Sequence, residues 1–450
     1  MSNEEEQKPT EEEQKQSEEE QKQTEEEQKQ AEEEEKQVDP LTLPLDDINR
    51  YYSIKGDLEK LRGIVISHYP IALFDEDKEK LKKKYIPKEM FKEFEKKYMK
   101  DFKFPTDLTD EFRPPYANSY YGGVDFTDAG TTSLLRGMGW ELVKEIGKKI
   151  LQGDFNFTTV TIPIKVMTPI SVLQHICNGH FNYPLYLNLA AKEKDPVIQM
   201  KYVIIAMISC WHRSNVFLKP LNPILGETYE MIWEDGSIEY VEQTSHHPPR
   251  SHFLLNGVNG DWRYYGYYDF TSNAWLNSFK LTNSGKRTIE FKNTNAKINF
   301  NYPIDQYGNT FWGSFRQECI GELELHDENN DITAKFGMGN IYGKTSDWFE
   351  GTICKGEEEV SKFTGSYLEY IEFDGERCWD IRKNIDIEEY PIVPQIKSSS
   401  IYREDSKFLY QSKLEEAQKA KDDQENLQRH DRKLRKEYEE NNKKEEEEES

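Results

Sequence analysis

Two adjacent histidines, His246 and His247, are the residues of this chain whose type and setting best suit chemistry on a ligand. They precede Pro248 and Pro249, and a proline disfavours helical backbone in the residue before it, so we expect the pair in rigid extended chain. Imidazoles donate N–H groups, and Lys219, in a second proline-rich loop upstream, adds a point charge. These residue types suit a phosphate monoester, which is nearly dianionic and needs several charged donors.

Metal binding and catalysis fit the histidine pair less well. Adjacent residues of an extended chain point to opposite faces, so His246 and His247 are poorly placed to share a metal, and no ligand set with zinc spacing accompanies them. Ser245 is adjacent but lies outside the G-x-S-x-G motif of an activated serine. We therefore expect no catalytic residue, no metal and no cofactor. A lipid hydrolase with a histidine base is the less favoured alternative.

Two strings around these residues resemble signature motifs of the oxysterol-binding protein family. They are Glu242-Gln243-Thr244-Ser245-His246-His247-Pro248-Pro249 and Lys219-Pro220-Leu221-Asn222-Pro223-Ile224-Leu225-Gly226-Glu227-Thr228. The family fingerprint has valine at the position of Thr244, while the serine and both histidines are intact. The resemblance covers about residues 131–435 and implies a lipid-binding domain of a lipid-transfer protein, not an enzyme. We recognise no pleckstrin-type domain beside it.

Three charged residues near the C-terminus, Lys421, Glu425 and Arg429, recur every four positions in a segment without proline or glycine. This spacing predicts a helix, Lys413 to Arg435, with the three on one face, which by itself is typical of an ordinary salt-bridged surface helix. The family ends in a helix with Lys, Glu and Arg at this spacing. The resemblance therefore implies a site for the headgroup of phosphatidylinositol 4-phosphate. Its phosphate contacts would be Lys219, His246, His247, Lys421 and Arg429, with Asn222 as a nearby polar contact and Glu425 orienting the cations and the inositol hydroxyls.

Beyond Gly226, short runs rich in aromatic and β-branched residues are separated by turn signals. The turn pairs are Asp235-Gly236, Asn256-Gly257, Asn259-Gly260, Ser284-Gly285, Tyr307-Gly308, Gly339-Asn340 and Asp374-Gly375. This density predicts an antiparallel meander, and so many strands must close or stack to hide their edges. We expect a β-rich α+β fold: a large antiparallel, near-complete β-barrel with a lipid tunnel, an N-terminal lid and helices, and a C-terminal helix. Ile170 to Cys177 and Lys194 to Trp211 are predicted helices.

A second helical pattern begins at about Leu134. Trp140, Val143, Ile146 and Ile150 recur at helical spacing, with lysines elsewhere on the cylinder. The pattern fits a helix packed on the core as well as an amphipathic lid, about residues 134–155, that contacts a membrane. The lid interpretation would explain how a buried lipid leaves, because a membrane would stabilise the open state.

Charge and cysteine content limit the compartment and the partners. The net charge of −25 argues against nucleic-acid binding through phosphates, although −11 of it lies in residues 1–38 and −5 in the last twelve residues. Five widely spaced cysteines fit reduced thiols in the cytosol. A polar N-terminus predicts no signal peptide, and the longest apolar stretch, Tyr202 to Trp211, is too short to span a bilayer. We expect a cytosolic protein that contacts membranes peripherally and transiently.

Domain boundaries follow from composition. Residues 1–38, five near-identical heptads close to EEEQKQx, predict a disordered acidic tail, because the heptads lack the two apolar positions of a coiled coil. Residues 39–130 form an N-terminal segment to which we assign no role, and 131–435 form the lipid-binding domain. Residues 436–450 predict a second disordered acidic tail. The string Leu73 to Asp77 faintly resembles motifs that dock to endoplasmic-reticulum receptors, and chance explains it better.

The expected partners are lipids. Phosphatidylinositol 4-phosphate would bind at the mouth of the barrel, and a sterol or another membrane lipid such as phosphatidylserine would occupy the interior. Transfer between membranes is the favoured activity, with a non-transferring lipid sensor or scaffold as the alternative.

Overall fold

The computed structural model describes residues 85–130, 132–137, 139–140, 163–213, 218–246, 248–275, 277–339, 341–392 and 396–449. Its helices are α1 Pro87–Phe94, α2 Val172–Asn178, α3 Tyr183–Ala190, α4 Pro196–Ile208, α5 Glu404–Tyr410 and α6 Leu414–Glu449. A π-helical turn, Glu95–Met99, continues α1, and shorter 3-10 turns occupy Ile164–Val166, Trp211–Arg213, Ile381–Lys383 and Ser400–Tyr402.

Strands occupy most of the chain between residues 219 and 391. They are β1 Val124–Asp125, β2 Met167–Ser171, β3 Lys219–Leu221, β4 Thr228–Trp233, β5 Ile238–His246, β6 Pro249–Asn256, β7 Trp262–Trp275, β8 Ser278–Asn283, β9 Arg287–Phe291, β10 Ala296–Phe300, β11 Ile304–Gly308, β12 Arg316–Asp327, β13 Ile332–Met338, β14 Trp348–Lys355, β15 Glu358–Ser366, β16 Tyr370–Phe373, β17 Glu376–Asp380 and β18 Glu389–Pro391.

One 16-stranded antiparallel sheet contains all strands except β2 and β3. Its order is β17-β16-β15-β14-β13-β12-β10-β9-β7-β6-β5-β4-β18, with β1, β8 and β11 attached beside β7 and β12. The two edge strands, β17 and β18, are not hydrogen-bonded to each other within the described residues, so the sheet stays open there. The large antiparallel sheet with N-terminal and C-terminal helices confirms the predicted β-rich α+β fold.

The predicted turns account for much of this topology. Gly236, between β4 and β5, has φ +83°, and the pair Asp374-Gly375, between β16 and β17, has φ values of +54° and +84°. Positive φ at both central residues is the geometry that suits the twist of a two-residue hairpin. Tyr307-Gly308 is an exception, because it ends β11 rather than forming the turn after it.

Helices α2 to α4 fill the concave side of the sheet. All eight residues of α3 are buried, which explains why its sequence shows no amphipathic pattern and was harder to predict than α2 and α4. After α4, the ring of Trp211 lies 6.1 Å from that of Phe336 on β13, while His180, before α3, lies 4.8 Å from Phe253 on β6. The sheet therefore curls around the helices, and both share one hydrophobic core.

Residues 85–130 belong to the same core. Val124 on β1 pairs with Gln317 on β12, and both Val124 and Phe94 are buried among the apolar residues of the sheet. Arg113 binds Asp347 at 2.8 Å and Glu369 at 2.6 Å. The part of the 39–130 segment that the structure describes is thus packed against the sheet rather than separate from it.

Candidate functional site

A small second core brings the C-terminal helix to the proline-rich loop that begins with Lys219. β3 pairs in parallel with β2, with Met167 opposite Lys219. The buried apolar residues of this core come from five elements: Ile164, Met167, Leu221, Leu409 and Ala417. Gln418 on α6 accepts a hydrogen bond from the backbone of Ile164 at 2.9 Å. Packing of α5 and α6 on β2 and β3 therefore sets one face of α6 against the loop.

That face of α6 carries the predicted triplet as a chain of ion pairs. Lys421 Nζ donates to Glu425 Oε1 at 2.7 Å, and Arg429 Nη2 donates to Glu425 Oε2 at 3.0 Å. The Lys421 side chain is only 4% exposed, whereas that of Arg429 is 57% exposed. Glu425 thus pairs with one buried and one solvent-facing cation, and the role in headgroup binding that the family resemblance implies for it stays a prediction.

Lys219 lies close enough to this triplet for the charges of Lys421 and Glu425 to shift its pKa. The pKa of Lys219 is lowered to about 8, chiefly by burial and then by the positive charges of Lys421 and Arg403, while Glu425 opposes them. Its ammonium donates to the side-chain oxygen of Asn222. We call Lys219, Asn222, Lys421, Glu425 and Arg429 the cation site. The positive charge of Lys421 acts on Lys219 and Glu425 opposes it, so a bound anion would relieve the repulsion between the two lysines.

Arg403, which the sequence analysis did not single out, anchors the loop of the cation site. It donates to the backbone oxygen of Asn222 at 2.7 Å and to Glu227 at 2.9 Å, and it also pairs with Asp405. Glu227 in turn accepts from Ser400 Oγ at 2.6 Å and from the Ile224 backbone at 2.9 Å. A buried glutamate in the loop motif indicates that a cation must pair with it, but the motif does not reveal which one.

His246 is the last residue of β5, the strand next to the loop. The Gly226 backbone donates to Gln243 O at 2.8 Å, and the Gln243 backbone donates to Glu227 O at 2.9 Å, which ties the loop to β5. A β-bulge between Gln243 and Ser245 then precedes the pairing of His246 with Pro249. His247 lies outside the described residues, so its predicted role stays a prediction.

The departure from the family motif, Thr244, lies at this bulge. Its side chain is exposed, and Oγ1 contacts the Arg250 backbone oxygen at 3.2 Å and His252 Nδ1 at 2.7 Å. A hydroxyl is therefore satisfied where the family has an apolar side chain, because the position faces away from the core.

The first part of the predicted lid rests on the loop between β11 and β12. Trp140 is 46% exposed, and its ring lies 4.7 Å from that of Phe311. Arg136 donates to the backbone oxygens of Thr310 at 3.2 Å and Asn309 at 3.1 Å. The other predicted lid and membrane-contact residues, Val143, Ile146 and Ile150, lie outside the described residues.

A second exposed tryptophan lies in the same loop, and a third lies on the neighbouring hairpin. Trp312 is 50% exposed and Trp275, on the β7–β8 hairpin, is 72% exposed. Asn277 joins hairpin and loop, since its Oδ1 accepts from the Phe311 backbone at 2.9 Å and its Nδ2 donates to Trp312 O at 3.2 Å. We call Trp140, Trp275 and Trp312 the tryptophan rim. Only Trp140 belonged to a periodic pattern, so sequence alone singled out one of the three.

Over the part of the chain that the structure describes, no three His, Cys, Asp or Glu side chains are grouped to hold a metal ion. The five cysteines are free thiols, four of them buried. No helix in the described residues is long and apolar enough to cross a membrane.

Comparison with known proteins finds one family. The model of the family described as oxysterol-binding protein matches residues 142–392. Oxysterol-binding protein 9 of Dictyostelium discoideum is 31% identical over 363 residues, which cover 73% of this chain and 82% of that protein. Oxysterol-binding protein-related protein 2 of Mus musculus is 29% identical over 222 residues, which cover 48% of this chain and 44% of that protein.

Solved structures share the fold at lower identity. The Osh1 ORD domain in complex with ergosterol has a TM-score of 0.56 and 21% identity, covering 63% of this chain and 78% of that one. The Osh3 ORD of Saccharomyces cerevisiae in complex with PI(4)P also has a TM-score of 0.56 and 21% identity, covering 65% of this chain and 84% of that one.

Proposed function

Because the chain belongs to the oxysterol-binding protein family, whose members are lipid-transfer proteins rather than enzymes, we propose that it exchanges phosphatidylinositol 4-phosphate for a second lipid. The phosphoinositide headgroup would bind at the cation site together with His246 and His247. The second lipid, a sterol or another membrane lipid, would bind inside the curled sheet. Lipid binding itself follows from the family. The choice of lipids and their exchange between membranes is the proposal.

The observation that carries the headgroup assignment is the electrostatic interaction of Lys219 with Lys421. Lys421 is buried and Lys219 is partly buried, and burial together with the positive charge of Lys421 lowers the pKa of Lys219 to about 8. A phosphate monoester, nearly dianionic at neutral pH, would supply the missing negative charge and accept several charge-assisted hydrogen bonds. The PI(4)P complex of the Osh3 domain, which shares the fold, is consistent with this ligand.

Delivery to membranes would use the tryptophan rim and the predicted lid, residues 134–155. Indole rings are favoured at membrane–water interfaces, because they combine an apolar ring with an N–H donor. Trp140 joins the rim to the start of the lid, so contact with a bilayer would act on the lid directly. On this proposal the protein works from the cytosol and touches membranes only transiently.

The proposed domain organisation is a lipid-binding domain over residues 131–435 between the acidic segments 1–38 and 436–450. The packing of residues 85–130 on the sheet supports including that stretch in any fragment used for experiments. The string Leu73 to Asp77, which faintly resembles motifs that dock to receptors of the endoplasmic reticulum, lies outside the described residues, and it forms no part of the proposed function.

Extraction of phosphatidylinositol 4-phosphate from liposomes tests the headgroup assignment. The protein with His246→Ala and His247→Ala should lose extraction while keeping its unfolding midpoint. Unchanged extraction by the folded double variant would contradict the assignment. A transfer assay between two liposome populations then separates a transfer protein from a sensor, since a sensor binds lipid without moving it. Recovery of intact lipid after incubation would exclude the hydrolase alternative.

A further inference from the structure

The interior of the sheet contains an arginine with an incomplete set of partners. Arg287 begins β9 opposite Gly266 on β7, and its side chain is fully buried. Its Nη1 donates to the Gly285 backbone oxygen at 3.0 Å. Its Nε and Nη2 are buried without a hydrogen-bond partner, and no carboxylate in the described parts of the chain forms an ion pair with it. A buried cation in this state calls for an explanation.

Tyrosines surround the guanidinium group. It lies 3.8 Å from the ring centre of Tyr302 and 4.4 Å from that of Tyr268. Tyr183 and Tyr264 are stacked on each other at 4.4 Å, and both of their hydroxyls are buried without a hydrogen-bond partner. Tyr302 is only half-buried, so space that water can reach adjoins the cluster.

The carboxylate of Glu239 forms its hydrogen bonds with residues other than Arg287. His180 Nδ1 lies 2.7 Å from Glu239 Oε1, and Trp233 Nε1 donates to Oε2 at 3.1 Å. The other ring nitrogen of His180 lies 3.0 Å from the Tyr268 hydroxyl. His180 thus lies between Glu239 and the Tyr268 hydroxyl, whereas Arg287 lies over the Tyr268 ring, and Glu239 forms no ion pair with Arg287.

Arg287 keeps its charge despite burial. Burial opposes the charged form, but the phenol groups of Tyr268, Tyr264 and Tyr302 favour it, and the pKa of Arg287 stays above its usual value. Cation–π contacts offset part of the burial cost, whereas the two unused N–H donors leave the rest uncompensated. A group that accepts both hydrogen bonds and carries negative charge would remove that cost.

The two unused donors also specify the shape of such a group. Nε and Nη2 lie on one edge of the planar guanidinium group, where their N–H bonds run parallel and match the two oxygens of a carboxylate. A sterol hydroxyl offers a single neutral oxygen and would leave one donor unsatisfied. The tyrosine hydroxyls add further donors beside this edge.

The position of Arg287 separates it from the cation site. Through Gly266 on β7 it lies in register with Phe253 on β6, four residues along β6 from Pro249, which pairs with His246. At roughly 3.3 Å per residue this places Arg287 about 13 Å from the level of His246, measured along the strands. At that depth a phosphoinositide bound by its headgroup would place an apolar acyl chain, and an acyl chain cannot accept hydrogen bonds from a guanidinium group.

We propose that Arg287, with the hydroxyls of Tyr183 and Tyr264, receives the carboxylate of the second lipid, which is therefore a lipid acid and not a neutral sterol. This inference rests on the proposed lipid-binding function and names the chemical class of its interior ligand. The acid enters carboxylate first, and its apolar chain extends toward the mouth of the sheet.

Binding of cis-parinaric acid, a fluorescent fatty acid, and of its methyl ester to the full-length protein tests the proposal. The pair differs mainly in the charge of the carboxyl group, so the natural protein should bind the acid at least tenfold more tightly. Arg287→Met should abolish that preference. Arg263→Met, which alters an exposed arginine of β7 paired with Glu290, should retain it. Equal binding of acid and ester by the natural protein, or an unchanged preference in Arg287→Met, would overturn the proposal.

Folding and alternative ligands are controlled separately. Arg287→Met removes an unpaired buried charge, so its unfolding midpoint should not fall below that of the natural protein. If that variant does not fold, Tyr264→Phe, which removes one hydroxyl, should lower the preference for the acid several-fold, and no change would count against the proposal. Displacement of the acid by dehydroergosterol as effectively as by unlabelled fatty acid, or by phosphatidylserine in preference to it, would also contradict it. Phosphoinositide extraction, measured on the same proteins, reports the proposed function independently.

Discussion

Lys421 on the C-terminal helix helps to lower the pKa of Lys219 on β3, although nearly the whole antiparallel sheet separates the two residues in sequence. Glu425 pairs with Lys421 and draws Arg429 into the same row. Lys219 therefore loses its proton at an unusually low pH for a lysine, so that lipid binding and stability should both depend on its protonation.

Phosphoinositide binding should weaken as pH rises through 8. Lys219, with a pKa of about 8, loses its proton there, and at pH 9 about one tenth of it stays charged. Extraction of phosphatidylinositol 4-phosphate at limiting protein should therefore fall by about tenfold between pH 7 and pH 9. Lys219→Arg, which stays charged, should show a flat profile over this range. A natural protein with no pH dependence would contradict the assigned role of Lys219.

The same group should affect stability in the opposite direction. Without lipid, folding lowers the pKa of Lys219 from its ordinary value of 10.5, so between pH 8 and 10.5 the unfolded chain binds more protons. The contribution of this group to the free energy of unfolding should thus rise with pH in that window. Urea unfolding at a series of pH values, compared with Lys219→Met, isolates the contribution.

Lys421→Ala should reduce phosphoinositide extraction by more than about tenfold, since truncating one partner of a buried charge pair costs about 2–5 kcal/mol in binding. It should also move the pKa of Lys219 back toward its usual value and shift the pH profile upward. Lys419→Ala, which removes an exposed lysine from the same helix, is the matched control and should change extraction little. Equal losses in the two variants would point to net charge rather than the cation site.

Arg403→Met should destabilise the fold by about 3–5 kcal/mol, because it leaves Glu227 and Asp405 buried without their cation. The free energy of unfolding in urea measures this loss. Lys407→Met, an exposed change on α5, is the control and should fall within about 0.5 kcal/mol of the natural protein. Adding Glu227→Gln to Arg403→Met should recover part of the loss, and no recovery would argue against direct coupling.

Trp275→Ala combined with Trp312→Ala should slow lipid transfer between liposomes several-fold without changing the affinity for lipid presented in solution. The two indoles are exposed, so their loss removes membrane contact rather than core packing. Tyr240→Ala, which alters a 42% exposed aromatic residue midway along β5, is the control. A rate equal to that of the control would place the membrane contact elsewhere.

Much of the fold was readable from local sequence. The turn pairs, the alternation of buried and exposed residues, and the helices near residues 172 and 196 are set by neighbours in the chain, so their physics appears in short windows. Helix α3 was not readable in this way, because a helix buried on all sides lacks a polar face. The packing of residues 85–130 was also hidden, since Arg113 finds Asp347 and Glu369 only in the folded protein.

The site likewise contains residues that could be predicted from local sequence and residues that could not. Lys219 and Asn222 belong to a motif and could be named as site residues from sequence, and the triplet on α6 followed from its spacing and the family resemblance. Arg403 and Arg287 could not be named, since nothing beside them in the chain marks one as the partner of a buried carboxylate and the other as a cation without one. A buried charge is a property of tertiary packing, and single-sequence patterns do not report it.

The cation site joins β3, which is synthesised before most of the large sheet, to α6, which is synthesised after it. A ribosome-bound chain that has already produced Lys219 and the whole large sheet still lacks Lys421, Arg429 and the α5 residue Leu409 that packs beside β3. On the proposed function, the protein can therefore bind a phosphoinositide headgroup only after α6 has left the ribosome and packed against β3. Chains that terminate before α6 would contain a nearly complete sheet but would not bind the phosphorylated lipid.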